Sequence, residues 1–188
     1  GAARGIGNGI ALQLAKDGYS IAIMDVLKKE DVAKNITPIE ETGAEVLYIR
    51  GDITSAESRN TVVEETMKMF GRIDVLVNNA GGSRDGLLLM QSESDLRAVL
   101  EANLTSAMLC SREALRYMLR KHRGAIINIS SLSALTGLPG QTAYSAAKAG
   151  LVGLTRALAR EEDRPAAHRR GKCLASGAVQ SRGFPGPA

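Results

Sequence analysis

Tryptophan is absent from this 188-residue chain, and only two phenylalanines and four tyrosines are present. That scarcity excludes a core built on ring packing. The 44% apolar content has to act through Ala, Ile, Leu and Val, the residues of buried parallel strands and of the helices that cover them. Cysteine is equally sparse. Cys110 and Cys173 make no disulfide framework, and neither they nor His168 have partners at metal-ligand spacing, so a reducing, cytoplasmic setting without a metal centre is expected. No apolar run approaches the roughly 20 residues that cross a bilayer, and no membrane partner is expected. No signal peptide precedes Gly1, and because that residue is not Met, a true N-terminus is expected to be missing.

Acid is missing from one end. Arg164, Arg169, Arg170, Lys172 and Arg182 follow the last acidic residue, whereas residues 1–163 hold 19 basic and 20 acidic side chains. The net charge of +4 therefore belongs to a tail, in which only Phe184 is aromatic, and this distribution argues against a nucleic-acid partner. The length suits one domain with a substantial core.

Within residues 1–160, short apolar runs alternate with helical patterns. SIAIMD (20–25), EVLYIR (45–50), IDVLV (73–77) and the run Ile126–Ile129 read as strands, the third being of the kind buried on both faces. Helices read between them, stopped by Gly18, Gly43 and Gly71, with capping boxes at Thr54-x-x-Glu57 and Ser92-x-x-Asp95. The helix after Thr54 carries Val62, Val63, Met67 and Phe70 on one face. The long helix after Ser92 carries Leu96, Val99, Leu100, Ala107, Leu115 and Met118 on an inner stripe. Asn103 falls on that stripe, where an unbonded amide would cost free energy. The alternation predicts an α/β fold: a doubly wound parallel sheet with helices on both faces.

Three residues carry the chemistry. Ser131 lies just past the end of the 126–129 strand, and Tyr144 and Lys148 are four apart on the next helix, so their side chains share a face. A tyrosine, with a reference pKa of about 10, works as an acid or base near neutrality only when a fixed positive charge favours the phenolate, and Lys148 can supply that charge. At the other end Gly1, Gly5 and Gly7 make G-x-x-x-G-x-G ahead of a helix. There the backbone can approach a pyrophosphate held by the helix N-terminus. Asp25, 18 residues after Gly7 at a strand end, can accept from both hydroxyls of an adenosine ribose and would repel a 2′-phosphate, which favours NAD over NADP.

The spacing S-x12-Y-x3-K within NISS…AYSAAKAG, together with Asn78-Asn79-Ala80-Gly81 after a strand, closely resembles the short-chain dehydrogenase/reductase family over residues 1–160. The resemblance implies a Rossmann-like fold and an NAD(P)-dependent oxidoreductase. In it Tyr144 is the general acid/base, Lys148 lowers its pKa and holds the cofactor ribose, and Ser131 hydrogen-bonds the substrate oxygen. It further implies that Asn103 holds a water feeding protons to the pair. The glycine loop with Arg4 and Ile6, the adenine-side Asp52 and Ile53, and the wall Asn79, Ala80 and Gly81 would contact the cofactor. Arg4 is the residue that speaks for NADP as the alternative. The stretch GGSRDGLLLMQSESDL resembles β-ketoacyl carrier-protein reductases. A 3-oxoacyl thioester, free or on a carrier protein, is thus the implied substrate, fatty acid biosynthesis the setting and a homo-oligomer the intact form.

The same resemblance implies that a first strand, which would directly precede the glycine motif, and the later strands, nicotinamide turn and substrate lid are lacking. Residues 161–188 are expected to be a basic, disordered tail, with CLASGAV its one strand-like string. The 188-residue chain alone is expected to be inactive, and a catalytically inactive nucleotide-binding module is the rival reading.

Overall fold

A computed structural model describes residues 1–121, 123–162 and 171–175. The chain forms two compact units, Gly1–Ile73 and a second beginning at Asp74. The division follows the sheets. Among the described residues one ladder joins two strands, another joins three, and no ladder links the two.

In the first unit α1 (Gly5–Lys16) leads into β1 (Ile21–Asp25), α2 (Ala33–Glu40), β2 (Val46–Arg50) and α3 (Ala56–Phe70). β1 and β2 pair in parallel, from Ile21 opposite Val46 to Asp25 opposite Arg50. The core is aliphatic, as the lack of aromatics requires: Ala11 and Ala15 of α1 and Ile36 and Ile39 of α2 close on Ile21 and Ile23. Helix α3 is capped by Ser55, whose side chain accepts from the Ser58 amide at 3.3 Å, one residue beyond the predicted Thr54. Thr54 is drawn off by Asp52, whose Oδ1 accepts its hydroxyl at 2.8 Å. The helix ends at Gly71 with φ +69°, a left-handed stop that suits glycine.

The second unit contains β3 (Val75–Asn78), α4 (Glu93–Leu100), α5 (Ser106–Lys121), β4 (Gly124–Asn128), the short α6 (Ser133–Thr136), α7 (Thr142–Glu162) and β5 (Gly171–Ala175). All three strands are parallel in the order β3-β4-β5. Every residue of the central β4 is buried, whereas β3, expected to be buried on both faces, is half-buried along its length. Its place at the sheet edge is the reason. Of the tail expected to be disordered, residues 161–162 continue α7 and 171–175 form β5, from Gly171 opposite Gly124 to Ala175 opposite Asn128. The rest of it, with His168, Phe184 and all of its arginines, lies outside the described residues.

Helices α4 and α5 are one predicted helix interrupted by a π-turn at Glu101–Thr105. Ser92 caps its start, accepting from the Asp95 amide at 3.1 Å as the sequence predicts. The inner stripe runs through Val99, Asn103, Ala107, Ala114 and Met118, but Leu100 is 38% exposed. At that turn the stripe centres on Val99 and Asn103, so Leu100, about 100° further round, faces out. Small residues bring α7 against this helix: a Cβ on Gly150 would lie 2.6 Å from Leu104. No helix among the described residues is long and apolar enough to cross a membrane.

Candidate functional site

The predicted site residues divide between the units. Ser131, Tyr144, Lys148, Asn103 and Asn79–Gly81 belong to the second; Gly1, Arg4, Gly5, Ile6, Gly7, Asp25, Asp52 and Ile53 belong to the first.

In the second unit α7 presents Ala143, Ala147 and Leu151 to the core, a one-turn repeat that carries Lys148 inward beside them. The Lys148 ammonium, 4% exposed as a residue, donates to the Ile129 carbonyl at 2.8 Å and lies 5.5 Å from the centre of the Tyr144 ring. Burial lowers its pKa below the ordinary lysine value, because the charged form has lost its water. The neighbouring Ser130 hydroxyl donates to the Lys148 carbonyl at 2.8 Å, so the strand end and the helix are stitched in both directions. Ser131 follows on this clamped segment and is half-buried, like Tyr144.

Asn103 is 1% exposed and sits in the π-turn. Its Nδ2 donates to the carbonyls of Gly82 at 2.7 Å and Val99 at 2.8 Å, while Oδ1 is buried without a hydrogen-bond partner. That orphaned oxygen lies against Gly81, where a Cβ would come within 2.2 Å of Oδ1 and 3.6 Å of Lys148 Nζ. Gly81, Asn103 and Lys148 thus meet at one point, with an acceptor left to bind a small polar species. Behind them runs a polar chain whose role the sequence does not announce. Asn78 Nδ2 donates to Asn128 Oδ1 at 2.8 Å and Ser111 Oγ at 3.1 Å, and Asn128 Nδ2 donates to Thr155 Oγ1 at 2.9 Å. These bonds tie the ends of β3 and β4 to α5 and α7, which fixes where the loop beginning at Asn79 leaves the sheet.

In the first unit Gly5 opens α1 with φ +58°, and nothing lies within 4 Å of where its Cβ would be. Arg4, the N-cap, makes no side-chain cap bond; Ile6 is exposed and Gly7 buried against the core. Two asparagines that read as ordinary polar helix positions hold this loop. Asn8 Nδ2 donates to the Asn35 carbonyl at 3.0 Å, and Asn35 Nδ2 donates to the Ala3 carbonyl at 2.9 Å. Asp25, 6% exposed, accepts from the Ala3 amide at 3.1 Å and the Leu27 amide at 3.2 Å, and the Gly1 amino group lies 3.6 Å away. Burial pushes its carboxyl up, but hydrogen bonds from the Ala3 and Leu27 amides pull it down, and it lies below the usual range. With about four acceptor positions on a carboxylate, capacity for hydroxyl donors remains. Asp52 is exposed and engaged with Thr54, and the Ile53 carbonyl accepts from Arg59 at 2.7 Å. Within the first unit, the open loop over Gly5 and the buried carboxylate of Asp25 leave room and acceptor capacity for a polar ligand.

The family model for short chain dehydrogenases matches residues 1–171. The 3-oxoacyl-(acyl-carrier-protein) reductase FabG of Staphylococcus aureus is 42% identical over 161 residues, which are 86% of this chain and 65% of that protein. The 3-oxoacyl-(acyl-carrier-protein) reductase of Synechocystis is 39% identical over the same shares. The chain therefore spans slightly under two thirds of the length of these curated relatives. A solved Sinorhizobium meliloti structure, described as a short-chain alcohol dehydrogenase, superposes with a TM-score of 0.85 at 34% identity, covering 93% of this chain and 68% of that one.

Proposed function

This chain belongs to the short chain dehydrogenase family, and from that membership we propose an oxidoreductase that moves hydride between a nicotinamide cofactor and a carbonyl or secondary alcohol. A 3-oxoacyl thioester, free or on a carrier protein, is the substrate class, supported by the reductase names of the curated relatives. The observation that carries the reading is the Lys148 ammonium, buried at the cost of its hydration and held between the Ile129 carbonyl and the Tyr144 ring. When bound, the nicotinamide supplies or accepts the hydride. Tyr144 gives its phenolic proton to the carbonyl oxygen as that oxygen becomes an alcohol, and the Lys148 charge stabilises the phenolate left behind. Ser131 donates to the same oxygen, and Asn103 Oδ1 holds a water on the path by which Tyr144 regains its proton.

The pyrophosphate is assigned to the glycine loop with Arg4 and Ile6, the adenosine to Asp25, Asp52 and Ile53, and the nicotinamide side to Asn79–Gly81. Asp25 makes NAD the proposed cofactor, and Arg4 supports NADP as the alternative. The intact protein is proposed to be a cytoplasmic homo-oligomer serving fatty acid biosynthesis.

A second reading, an inactive nucleotide-binding module, is favoured by one feature: among the described residues the strands form two separate sheets rather than one. Incubation with acetoacetyl-CoA and NADH or NADPH, following the reduced nicotinamide by absorbance, separates the two. Turnover that vanishes in Tyr144→Phe supports the oxidoreductase. Cofactor binding without turnover supports the module, and the absence of both refutes each.

A further inference from the structure

Ser133 is bonded twice to Ser131. Its backbone amide donates to Ser131 Oγ at 3.2 Å, and its own hydroxyl donates to the same oxygen at 2.9 Å, in the turn leading from β4 into α6. A serine oxygen has two lone pairs and one proton. With both lone pairs taken, Ser131 keeps only its proton for whatever enters beside it. We propose that Ser133 is a positioning residue that presets Ser131 as a hydrogen-bond donor to the substrate carbonyl oxygen; the proposal rests on the oxidoreductase reading above.

The two bonds differ in what they require of the sequence. Any residue except proline supplies the amide, whereas the second bond needs a hydroxyl at position 133. Ser133 is 8% exposed, so little water competes for that hydroxyl. Without it, one lone pair of Ser131 is open to water or to the phenolic proton of Tyr144, and the Ser131 proton is free to turn elsewhere. A carbonyl oxygen offers lone pairs alone, so an oxygen-to-oxygen approach in that altered orientation is repulsive. The bond from Ser133 removes that orientation before the substrate arrives.

The test compares Ser133→Ala, Ser133→Thr, Ser131→Ala and the double variant Ser131→Ala/Ser133→Ala. It reads kcat for acetoacetyl-CoA reduction and the dissociation constant of NADH by its fluorescence. The expected result is a fall in kcat of about three- to tenfold for Ser133→Ala, the span that one neutral hydrogen bond supports. NADH affinity should be unchanged, Ser133→Thr should recover the rate, and Ser133→Ala should have no further effect once Ser131 is alanine. Wild-type turnover in Ser133→Ala overturns the proposal. So does an equal fold-loss in the Ser131→Ala background, which would mark a merely structural residue. If Ser133→Ala fails to fold, Ser133→Cys, with a weaker donor of similar size, serves in its place under the same criteria. An intact wild-type protein that neither binds nor reduces the thioester defeats the oxidoreductase reading and this proposal together, whereas an active wild type with a silent Ser133→Ala defeats this proposal alone.

Discussion

Gly81→Ala tests the meeting point of Gly81, Asn103 and Lys148 with a single methyl group. The added carbon would stand 2.2 Å from Asn103 Oδ1 and 3.0 Å from its Cγ, both far inside contact distance. Asn103 has nowhere to retreat, since its Nδ2 is held by the Gly82 and Val99 carbonyls and the residue is buried in the π-turn. Swinging the amide aside strands buried polar groups at about 1–3 kcal/mol. Keeping it in place overpacks the site, again at about 1–3 kcal/mol. Either way a net loss of roughly 1–3 kcal/mol is expected, which for a unit of this size lowers the melting temperature by on the order of 10 °C. Gly82→Ala is the internal control, because nothing lies within 4 Å of its added carbon, and a change below about 0.5 kcal/mol is expected there. Melting followed by circular dichroism, with amide exchange read across residues 101–105, measures both. Equal shifts for the two alanines, or an unshifted Gly81→Ala, would refute the packing argument.

In the intact protein Tyr144→Phe should abolish ketone reduction with NADH affinity nearly unchanged, whereas Lys148→Ala should harm both; retained turnover in Tyr144→Phe would reassign the acid. The pKa of Lys148 is depressed in the fold, so the unfolded chain binds the extra proton between the folded value and 10.5. Across that window the wild type should gain stability relative to Lys148→Met as pH rises, measured by urea unfolding at a series of pH values. The carboxyl of Asp25 is depressed from 3.8, so its stabilisation is present above that pH and lost as pH falls through the folded value. The deficit of Asp25→Asn should therefore be largest near neutrality and vanish in acid. NADH should bind at least about tenfold more tightly than NADPH, since Asp25 would face a 2′-phosphate with like charge, and Asp25→Ala should narrow the gap. Equal affinities would instead promote Arg4.

The strands were legible because each is a short apolar run rich in Ile or Val, although β3 runs on to Asn78 and β4 begins at Gly124 and ends at Asn128, one residue before Ile129. The glycine stops at Gly18, Gly43 and Gly71 were legible for a local reason, a backbone with positive φ in each case. Tyr144 and Lys148 share a face because four residues nearly complete a turn, which spacing alone reveals. What sequence hid depends on partners distant along the chain. Asn8 and Asn35 look like solvated helix positions until Asn8 is seen donating to the Asn35 carbonyl and Asn35 to that of Ala3. Ser133 is one of three serines within four residues until its hydroxyl is seen turned back on Ser131. The exposure of β3 follows from its neighbours in the sheet and not from its own apolar residues. Pro38 inside α2 is a local rule overridden, tolerated late in a short helix whose Ile36 and Ile39 are fully buried.

The wide turn at Glu101–Thr105 has a consequence for which changes this protein can accept over evolutionary time. A regular helix can exchange one residue for another without disturbing those downstream, because the angular count is preserved. Here the wide turn holds one residue more than an ordinary turn would. Deleting one residue between Glu101 and Thr105 would convert it to an ordinary turn, and because five residues of wide turn advance about as far round the axis as four of regular helix, the flanking helices would keep their faces. Ala107, Ala114 and Met118 would stay in the core, and what would be lost is the local path that sets Asn103 against Gly81. A homologue one residue shorter there should therefore keep both helices and their buried faces while having lost the asparagine, the glycine opposite it, or both.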